Sequence, residues 1–390
     1  MTRRTTKLLV PAGLLSGALL VAACGPPRVV PPGGGPGGTP ATTPPPTTIF
    51  TAPPHLYAEM PLNGWSHDGT AYAVDIAGNN VFVGGEFDEA RKNNQSAPRS
   101  NVMAVERTTG NLLPFVANTD GVVRAVISDG FNVYLGGDFD TVNGVRRPRL
   151  AKVNAATGAV DTSFAPTIPT YVMDLLLVGN KLYVVGPFGQ VNGVQRRGAA
   201  VLNKGTGVLD PTFNPNAQSR VNTVAINPAG TRLYLGLAGN AGPFLLDVNP
   251  ITGAPLGTNF STLNDYIRDV TVGPDGIVYV AAGGGMNSAI ALDPATGRQR
   301  WRHRADGDVQ AVKESSGYLY FGFHDGFGGN NSLRILAVDT SSGNLVQNFM
   351  PASGSHPGVL TIDADGTFLA VGGLFGRMGG RAVQGLSIHP

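Results

Sequence analysis

Short apolar runs separated by glycine-containing turns recur from residue 71 to the end of the chain. One unit contains Val123–Ile127, Val133–Gly137 and Leu150–Asn154, followed by a Thr-Gly turn and Val160–Phe164. Apolar residues in these runs alternate with polar ones or form short bursts, and a helical period of 3.6 is absent. This pattern predicts four β-strands per unit, the last two joined by a tight hairpin.

The units repeat at a nearly constant interval. The glycine of the Thr-Gly or Ser-Gly turn falls at positions 110, 158, 207, 253, 297 and 343. A period in the mid-forties is typical of a four-stranded propeller blade. We count seven units and predict an all-β fold, a β-propeller of seven four-stranded blades over residues 56–390. Eight blades is the main alternative, and six to eight is the range that the pattern allows.

Two further features support a ring of blades. The last unit has only three strands, and the segment near His55–Met60 could supply its outer strand, which would join the two ends of the domain. The second strands carry paired glycines, which suit positions where neighbouring blades crowd the backbone. These pairs are Gly84-Gly85, Gly136-Gly137 and Gly372-Gly373. None opens a helix, so we favour this structural role over phosphate binding.

One known repeat family is similar to these units. The sequence YLGGDF, VNG, an arginine, LAKVN and the Thr-Gly turn, from Tyr134 to Gly158, resembles the delta-60-type repeats of bacterial secreted and surface propellers. The likeness is good in units one to three, partial in the last and poor in units four and five. The resemblance implies a propeller fold and export, but no shared activity.

The N-terminus predicts export and a lipid anchor. Residues 1–23 have a basic start and an apolar run that is too short and too broken by Gly and Pro for a transmembrane helix. They end in Leu20-Val21-Ala22-Ala23 before Cys24, which resembles the bacterial lipobox. We therefore expect Cys24 to be lipidated and to become the mature N-terminus, with an ordinary signal peptide as the alternative. The acyl chains would hold the protein on the extracytoplasmic side of the cell membrane or outer membrane.

Residues 24–55 form a predicted spacer. Gly25–Pro54 has eleven prolines among thirty residues and cannot bury a core. In polyproline II, at about 3.1 Å per residue, it would reach roughly 90 Å. The predicted domains are thus a signal peptide (1–23), a lipidated linker (24–55) and the propeller (56–390).

Charge and cysteine content exclude several classes of protein. The net charge is +2 over 390 residues, and removing the leader, which holds Arg3, Arg4 and Lys7, takes it to about −1. We therefore expect no nucleic-acid partner. The single cysteine permits neither an internal disulfide nor a thiolate zinc site. We expect a monomer whose partners are the membrane and a cell-envelope protein or anionic polymer.

Arginines recur in the longer loops between the second and third strands. These loops are expected to form a raised, basic arc on one face of units six, seven, one, two and three. Guanidinium groups bind carboxylates or phosphates in a bidentate manner, so an anionic partner is the functional hypothesis. The alternative is that each blade pairs its arginine with Asp88, Asp138 or Asp140. The candidate binding residues are Arg146, Arg147, Arg149, Arg196, Arg197, Arg377 and Arg381.

The sequence contains no catalytic constellation that we can assign. Ala291–Gly297 and Trp301 resemble the tryptophan-docking repeat of quinoprotein dehydrogenases and of a related outer-membrane assembly scaffold, but in one blade only. The Asp363–Gly366 segment resembles the start of a calcium loop, although a hairpin turn explains it better. Asp325–Asn331 could bind a cation, and the six histidines show no metal-ligand spacing. We predict no metal and no cofactor.

Two classes of function stay open. The first is a noncatalytic binding or scaffold module of the cell envelope, which we favour. The second is a propeller enzyme, a hydrolase, lyase or quinoprotein-like dehydrogenase, with its site at the central channel. Clustered carboxylates and histidines around one channel mouth would favour the second class.

Overall fold

The chain is all-β in the computed structural model, which describes residues 56–239, 241–354 and 358–390. The predicted signal peptide, Cys24 and the linker lie outside these residues. Among the described residues, no helix has the length and apolar character needed to cross a membrane.

Thirty-one strands are numbered in chain order. They are β1 (Ser66–His67), β2 (Thr70–Ala77), β3 (Asn80–Glu86), β4 (Glu89–Lys92), β5 (Gln95–Pro98), β6 (Val102–Glu106), β7 (Val122–Ser128), β8 (Asn132–Asp138), β9 (Thr141–Val142), β10 (Val145–Arg146), β11 (Leu150–Asn154), β12 (Asp174–Val178), β13 (Lys181–Val185), β14 (Gln190–Val191), β15 (Val194–Gln195), β16 (Ala199–Asn203), β17 (Arg220–Ile226), β18 (Leu233–Ala238), β19 (Leu245–Val248), β20 (Ile267–Val272), β21 (Val278–Ala282), β22 (Ser288–Leu292), β23 (Gln299–Arg304), β24 (Val309–Ser315), β25 (Tyr318–Phe323), β26 (Ile335–Asp339), β27 (Gly358–Ala364), β28 (Leu369–Leu374), β29 (Arg377–Met378), β30 (Arg381–Ala382) and β31 (Leu386–His389).

Seven antiparallel sheets follow one another along the chain. In order they are β2-β3-β6, β7-β8-β11, β12-β13-β16, β17-β18-β19, β20-β21-β22-β23, β24-β25-β26 and β27-β28-β31, and we call them sheets 1 to 7. Short hairpins β4-β5, β9-β10, β14-β15 and β29-β30 leave sheets 1, 2, 3 and 7 between the second and third strands, and β1 pairs with β4.

The first strand of each sheet lies beside the first strand of the next, and β2 also lies beside β27 of sheet 7. At that last junction Ile76 donates its backbone amide to Asp363 at 2.7 Å. The start of the described chain also joins its end, since Ala58 donates its amide to the Pro390 carbonyl at 2.9 Å. Residues 56–60 therefore lie beside the last strand of sheet 7, where the sequence predicted an outer strand, but they form no strand of that sheet. The core lies between neighbouring sheets, where their apolar faces meet.

The prediction of four strands in every blade is wrong for the described sheets, since only sheet 5 has four. In sheet 2 the predicted fourth strand makes a single bridge, Val160 to Val153. The chain then turns inward and buries Phe164, whose ring meets Tyr134 edge-on at 5.8 Å between centroids. Phe115 and Phe213 have the same role in sheets 1 and 3. In these three sheets, an aromatic ring buried between neighbouring sheets takes the place of a hydrogen-bonded fourth strand.

The recurring turn glycine has a conformational and a packing reason. All six turn glycines have a positive φ, between 66° and 78°. A Cβ on Gly158 would collide with the backbone of Val116, in the segment that enters sheet 2. The turn therefore needs a residue that accepts left-handed backbone and has no side chain.

Candidate functional site

Six of the seven first strands contain a one-residue β-bulge at the same point. A bulge leaves one residue unpaired and redirects its side chain. Sheet 3 has a regular strand, and Met173 holds the matching position in the repeat. These seven residues, called the bulge set below, are Tyr72, Arg124, Met173, Asn222, Arg268, Gln310 and Leu360.

The paired glycines face the bulges. In sheet 2, Gly137 pairs with Val123 and Gly136 pairs with Ala125, so the two glycines flank the bulged residue Arg124. A Cβ on Gly137 would lie 2.9 Å from Val123 Cα and would collide with the Val122 carbonyl oxygen. A Cβ on Gly136 would lie 2.6 Å from a methyl group of Val172, just before β12 of sheet 3. The predicted structural role of these glycines is confirmed.

Side chains of the bulge set reach the next sheet along the chain. The Arg124 guanidinium lies over the ring of Tyr171, which leads into sheet 3, with Cζ 5.1 Å from the ring centroid. Asn222 donates from Nδ2 to the Ile267 carbonyl of sheet 5 at 2.7 Å. The bulge set therefore follows the line where the first strands of successive sheets meet.

Arg268 is the bulge-set cation that is neutralised within the protein. Its guanidinium lies 2.6 Å from Oδ2 of Asp308, and Tyr266 donates its hydroxyl to the same oxygen at 2.8 Å. The Gly284 amide donates to Oδ1 at 2.7 Å. Burial opposes ionisation of Asp308, but these partners more than offset it and lower the pKa of the carboxyl.

Arg124 is held differently. Among the described residues it forms no ion pair, and its Nε is buried without a hydrogen-bond partner. Tyr72 of the neighbouring sheet interacts with Arg124. Burial and the charge of Glu86 raise the pKa of the Tyr72 phenol, and the positive charge of Arg124 opposes this rise. The site thus combines aromatic rings with a guanidinium that forms no ion pair with a carboxylate of the described residues.

Buried carboxylates connect alternate pairs of sheets deeper along the first strands. Each carboxylate accepts a hydrogen bond from a backbone amide in the first strand of the following sheet, with N–O distances of 2.7–3.0 Å. These interactions are Asp75 to Ser128, Asp174 to Val224, Asp269 to Val312 and Asp363 to Ile76. Because each carboxylate satisfies an amide at the free edge of a strand, we assign these four residues to blade packing.

One buried ion pair lies among these carboxylates. Lys313 Nζ is 2.6 Å from Asp363 Oδ1. Burial opposes the lysine charge, but Asp363, Asp75 and Asp269 more than offset it and raise its pKa. Asp75 is fully buried, and desolvation together with the charge of Asp363 raises its pKa well above the usual value. Sequence reasoning missed this network because the four aspartates occupy two different positions of the repeat, one residue after the bulge position in sheets 3 and 5 and three residues after it in sheets 1 and 7.

Two predicted binding arginines bind backbone carbonyls of their own blades. Arg147 donates to the carbonyls of Arg146 and Thr162, each at 2.6 Å. Arg196 is 6% exposed and donates to the carbonyls of Gln195 and Pro211 at 2.8 and 2.9 Å. Arg99 does the same in sheet 1. These guanidinium groups brace the start of the third strand against the chain after the turn.

The other predicted arginines differ in their surroundings. Arg149 lies 3.1 Å from Asp138 and 3.7 Å from Asp140, which is the pairing that we considered as the alternative to binding. Arg381 donates to the Pro61 carbonyl at 2.7 Å and exposed Arg377 to the Gly380 carbonyl at 3.3 Å. Arg146 and Arg197 are exposed, and the described residues provide no partner for either guanidinium.

The loops of sheets 2 and 3 do not form the raised arc that we expected. The tip residue Asn143 donates from its side chain to the carbonyls of Val116 and Gly158 at 2.9 and 3.2 Å. The loop leaves the sheet after β8, beside the start of β11, whereas Gly158 follows the opposite end of β11. The hairpin is therefore folded back along its own blade. In sheet 3, Asn192 donates to the Gly207 carbonyl at 3.1 Å, and its Oδ1 accepts a hydrogen bond from the Thr167 amide at 2.7 Å.

The remaining candidate motifs have structural explanations. Asp365 accepts the amides of Thr367 and Phe368 at 2.8 Å, so this segment is a hairpin turn. In the 325–331 loop, the Gly329 amide donates to Asp306 at 2.8 Å. Within the described ranges, no group of three or more His, Cys, Asp or Glu side chains is arranged to hold a metal ion. Trp301 packs against the turn glycine Gly343 of sheet 6.

Comparisons with known families support a propeller. A model described as a domain of unknown function (DUF5122) beta-propeller matches residues 132–164 and 180–213, in sheets 2 and 3. A model described as outer membrane protein assembly factor BamB matches residues 245–346, across sheets 4 to 6. The second match extends the likeness that the sequence showed in one blade.

A solved structure gives the same fold. The chain is similar to the WD40 beta propeller domain of Doa1, with a TM-score of 0.59, 13% identity and coverage of 86% of this chain and 97% of that one. No curated protein sequence matches. The chain therefore has a propeller-like, all-β fold.

Proposed function

We propose that this chain is a lipid-anchored, noncatalytic binding module of the bacterial cell envelope. The lipobox-like sequence before Cys24 and the proline-rich linker support an anchored domain that is held away from the membrane. The domain itself supplies a rigid fold on which a binding site can be built.

The seven sheets are, in this proposal, seven blades of a closed ring. The contact of β2 with both β7 and β27 and the junction of Ala58 with Pro390 support closure. In such a ring the first strands border a central channel, and the bulge set lies around one mouth of it. The mouth is where we place the principal ligand.

The ligand at the mouth is anionic. The observation that carries this proposal is the Arg124 guanidinium, stacked on Tyr171 and without a described carboxylate partner. The other cation of the set, Arg268, is compensated by Asp308. A guanidinium binds a carboxylate or phosphate through charge-assisted hydrogen bonds. The exposed Arg146 and Arg197 would add weaker contacts if the ligand is a polymer.

Binding of acidic polysaccharides by the full lipoprotein in detergent tests this function. We expect binding that weakens between 50 and 200 mM salt, falls about tenfold or more in Arg124→Met and changes less in Arg197→Met, because exposed charges are screened. Arg197→Met is the matched control, since it removes an equally cationic but exposed side chain. Equal binding by the two variants would contradict a site at the mouth.

The anchor has its own test. We expect the mature wild-type chain to carry lipid on Cys24 by mass spectrometry and to fractionate with membranes. Cys24→Ser should appear in the soluble extracytoplasmic fraction. Retention of this variant in membranes would contradict lipid anchoring.

Two other functions have a specific observation behind them. The model matching residues 245–346 is described as an assembly factor, which supports a protein-binding scaffold role. The same region and Trp301 supported the quinoprotein-like alternative in the sequence. Crosslinking of the membrane-bound protein to envelope proteins tests the first function. A spectral shift of added quinone cofactor, followed by dye reduction with alcohols, tests the second.

A further inference from the structure

We infer that the outer edge of β23 is a docking surface for an extended acidic segment of a partner protein. Among the seven described sheets, sheet 5 alone has four strands, and β23 is its outermost strand. It lies three strands away from β20, which carries the bulge of this sheet, so the inference goes beyond the ligand proposed at the mouth. Two features of β23 support it, an open backbone edge and a concentration of arginines.

The backbone of β23 is able to pair with a further strand. Arg304 is opposite Ser288 of β22, and the next residue, Ala305, donates its amide to the Asn287 carbonyl at 2.8 Å. Residues of an antiparallel strand alternate between bonding the partner strand and facing away from it. Arg302 and Arg304 therefore direct their amides and carbonyls to the outer edge. No strand of the described residues pairs with that edge.

The same edge is strongly basic. Four arginines and no acidic residue lie within the seven residues from Arg298 to Arg304. Arg300 lies 3.1 Å from Asp293, and Arg302 Nε donates to a hydroxyl of β22 at 2.7 Å. Arg298 and Arg304 are exposed, and neither guanidinium has a partner among the described residues. The edge thus carries positive charge that its own sheet does not neutralise.

The charge of β23 selects the partner. Two copies of this chain would pair their β23 strands with arginines opposite arginines, which is unfavourable, and the same charges keep other chains from adding to the edge. A segment with acidic residues at alternate positions removes this repulsion, because alternate residues of a strand share one face. Its carboxylates recur about 7 Å apart, the spacing of Arg302 and Arg304 along β23. Backbone hydrogen bonds then provide affinity, and the carboxylates provide specificity.

Ligand-observed NMR titration of the full lipoprotein in detergent tests the inference with three acetylated octapeptides. The first alternates threonine and glutamate. The second has glutamine in place of glutamate and lacks the charge. The third has the first sequence with every backbone nitrogen methylated, so it keeps the charge and lacks the hydrogen-bond donors. Each cross-strand pair of opposite charges raises affinity by up to about fivefold, so we expect the first peptide to bind about tenfold more tightly than the other two.

Variants and hydrogen exchange locate the binding on β23. Arg298→Ser combined with Arg304→Ser should weaken binding of the glutamate peptide about tenfold. Arg91→Ser combined with Lys92→Ser is the matched control, since it removes the same charge from β4 of the first hairpin, and its Kd should stay within about twofold of wild type. In the wild-type complex, the amides of β23 that face the outer edge should exchange severalfold more slowly than in the free protein.

Three results would overturn the inference. Equal binding of the glutamate peptide and its methylated form would show an electrostatic patch that serves an acidic polymer, without strand pairing. Equal losses in the two double variants would show that the peptide does not bind β23. No binding of any peptide by folded protein would leave the arginines with the protection of the edge alone. The proposed anionic ligand of the mouth is tested separately, through Arg124→Met, and stands or fails independently.

Discussion

Replacing Gly137 by alanine should both destabilise the protein and displace Arg124 of the bulge set. The added Cβ would lie 2.9 Å from Val123 Cα and 3.1 Å from the Val122 carbonyl carbon. Ordinary carbon contacts are about 3.5–4.0 Å, so the bulge backbone must move. Overpacking costs about 1–3 kcal/mol, and backbone atoms cannot turn aside as side chains can, so we expect about 3 kcal/mol.

Thermal unfolding gives the measurement. With an unfolding entropy of about 2.1 cal/mol/K per residue, a loss of this size lowers Tm by about 4 °C in a domain of this length. The shift of the bulge should also displace Arg124 and weaken anion binding. Gly189→Ala is the matched control, because a Cβ there meets nothing within 4 Å and its φ is not positive. Equal Tm and equal binding for the two variants would refute the argument that the paired glycines permit the bulge.

Three further predictions concern buried charge. Burial lowers the pKa of both His67 and His389 to about 4, so below pH 6.5 the unfolded chain binds more protons than the folded one. As the pH is lowered from 6.5 to 4, the free energy of unfolding measured in urea should therefore fall by up to about 1.4 kcal/mol per pH unit for each histidine. His389→Gln should flatten this slope, and an unchanged slope would contradict the assignment. Lys313→Met should cost about 3–5 kcal/mol in guanidinium unfolding at pH 7, because Asp363 loses its partner, and Asp363→Asn added to it should restore much of the loss. Arg196→Met should cost about 1–3 kcal/mol, because two carbonyls lose their donors, whereas exposed Arg197→Met should stay within about 0.5 kcal/mol; equal values would argue against the bracing role.

The propeller-like fold could be predicted from the sequence because its strongest signals are local. The turn glycine at 158 and its equivalents need a positive φ, so the turn glycine recurs in units one to six. The pair Gly136-Gly137 accommodates a bulge, and a glycine pair recurs in units one, two and seven. The fourth strand could not be predicted in the same way. Val160–Phe164 has a strand-like pattern, but burial of the Phe164 ring between sheets outweighs the ladder.

The candidate site was harder to predict, because it depends on contacts between sheets. Nothing in the loop sequences distinguishes Arg147 and Arg196 from exposed, ligand-binding arginines. Only the folded hairpins show that both donate to backbone carbonyls. Arg124, Asn222 and Gln310 share the bulge position but no residue type. A search for one recurring residue therefore passes over them, whereas a search for polar residues directly after the first buried apolar residue of each first strand would have found them.

The buried carboxylates have a consequence that depends on whether the number of blades is odd or even. Aspartates on sheets 1, 3, 5 and 7 each bind an amide of the next sheet, so the arrangement alternates until sheet 7 meets sheet 1. In the closed seven-bladed ring that we propose, this alternation cannot be completed without placing two like members side by side, and these are Asp363 and Asp75. Lys313 lies at this junction. Its charge compensates the mismatch, so an even-numbered relative of this ring would have no electrostatic need for a lysine there.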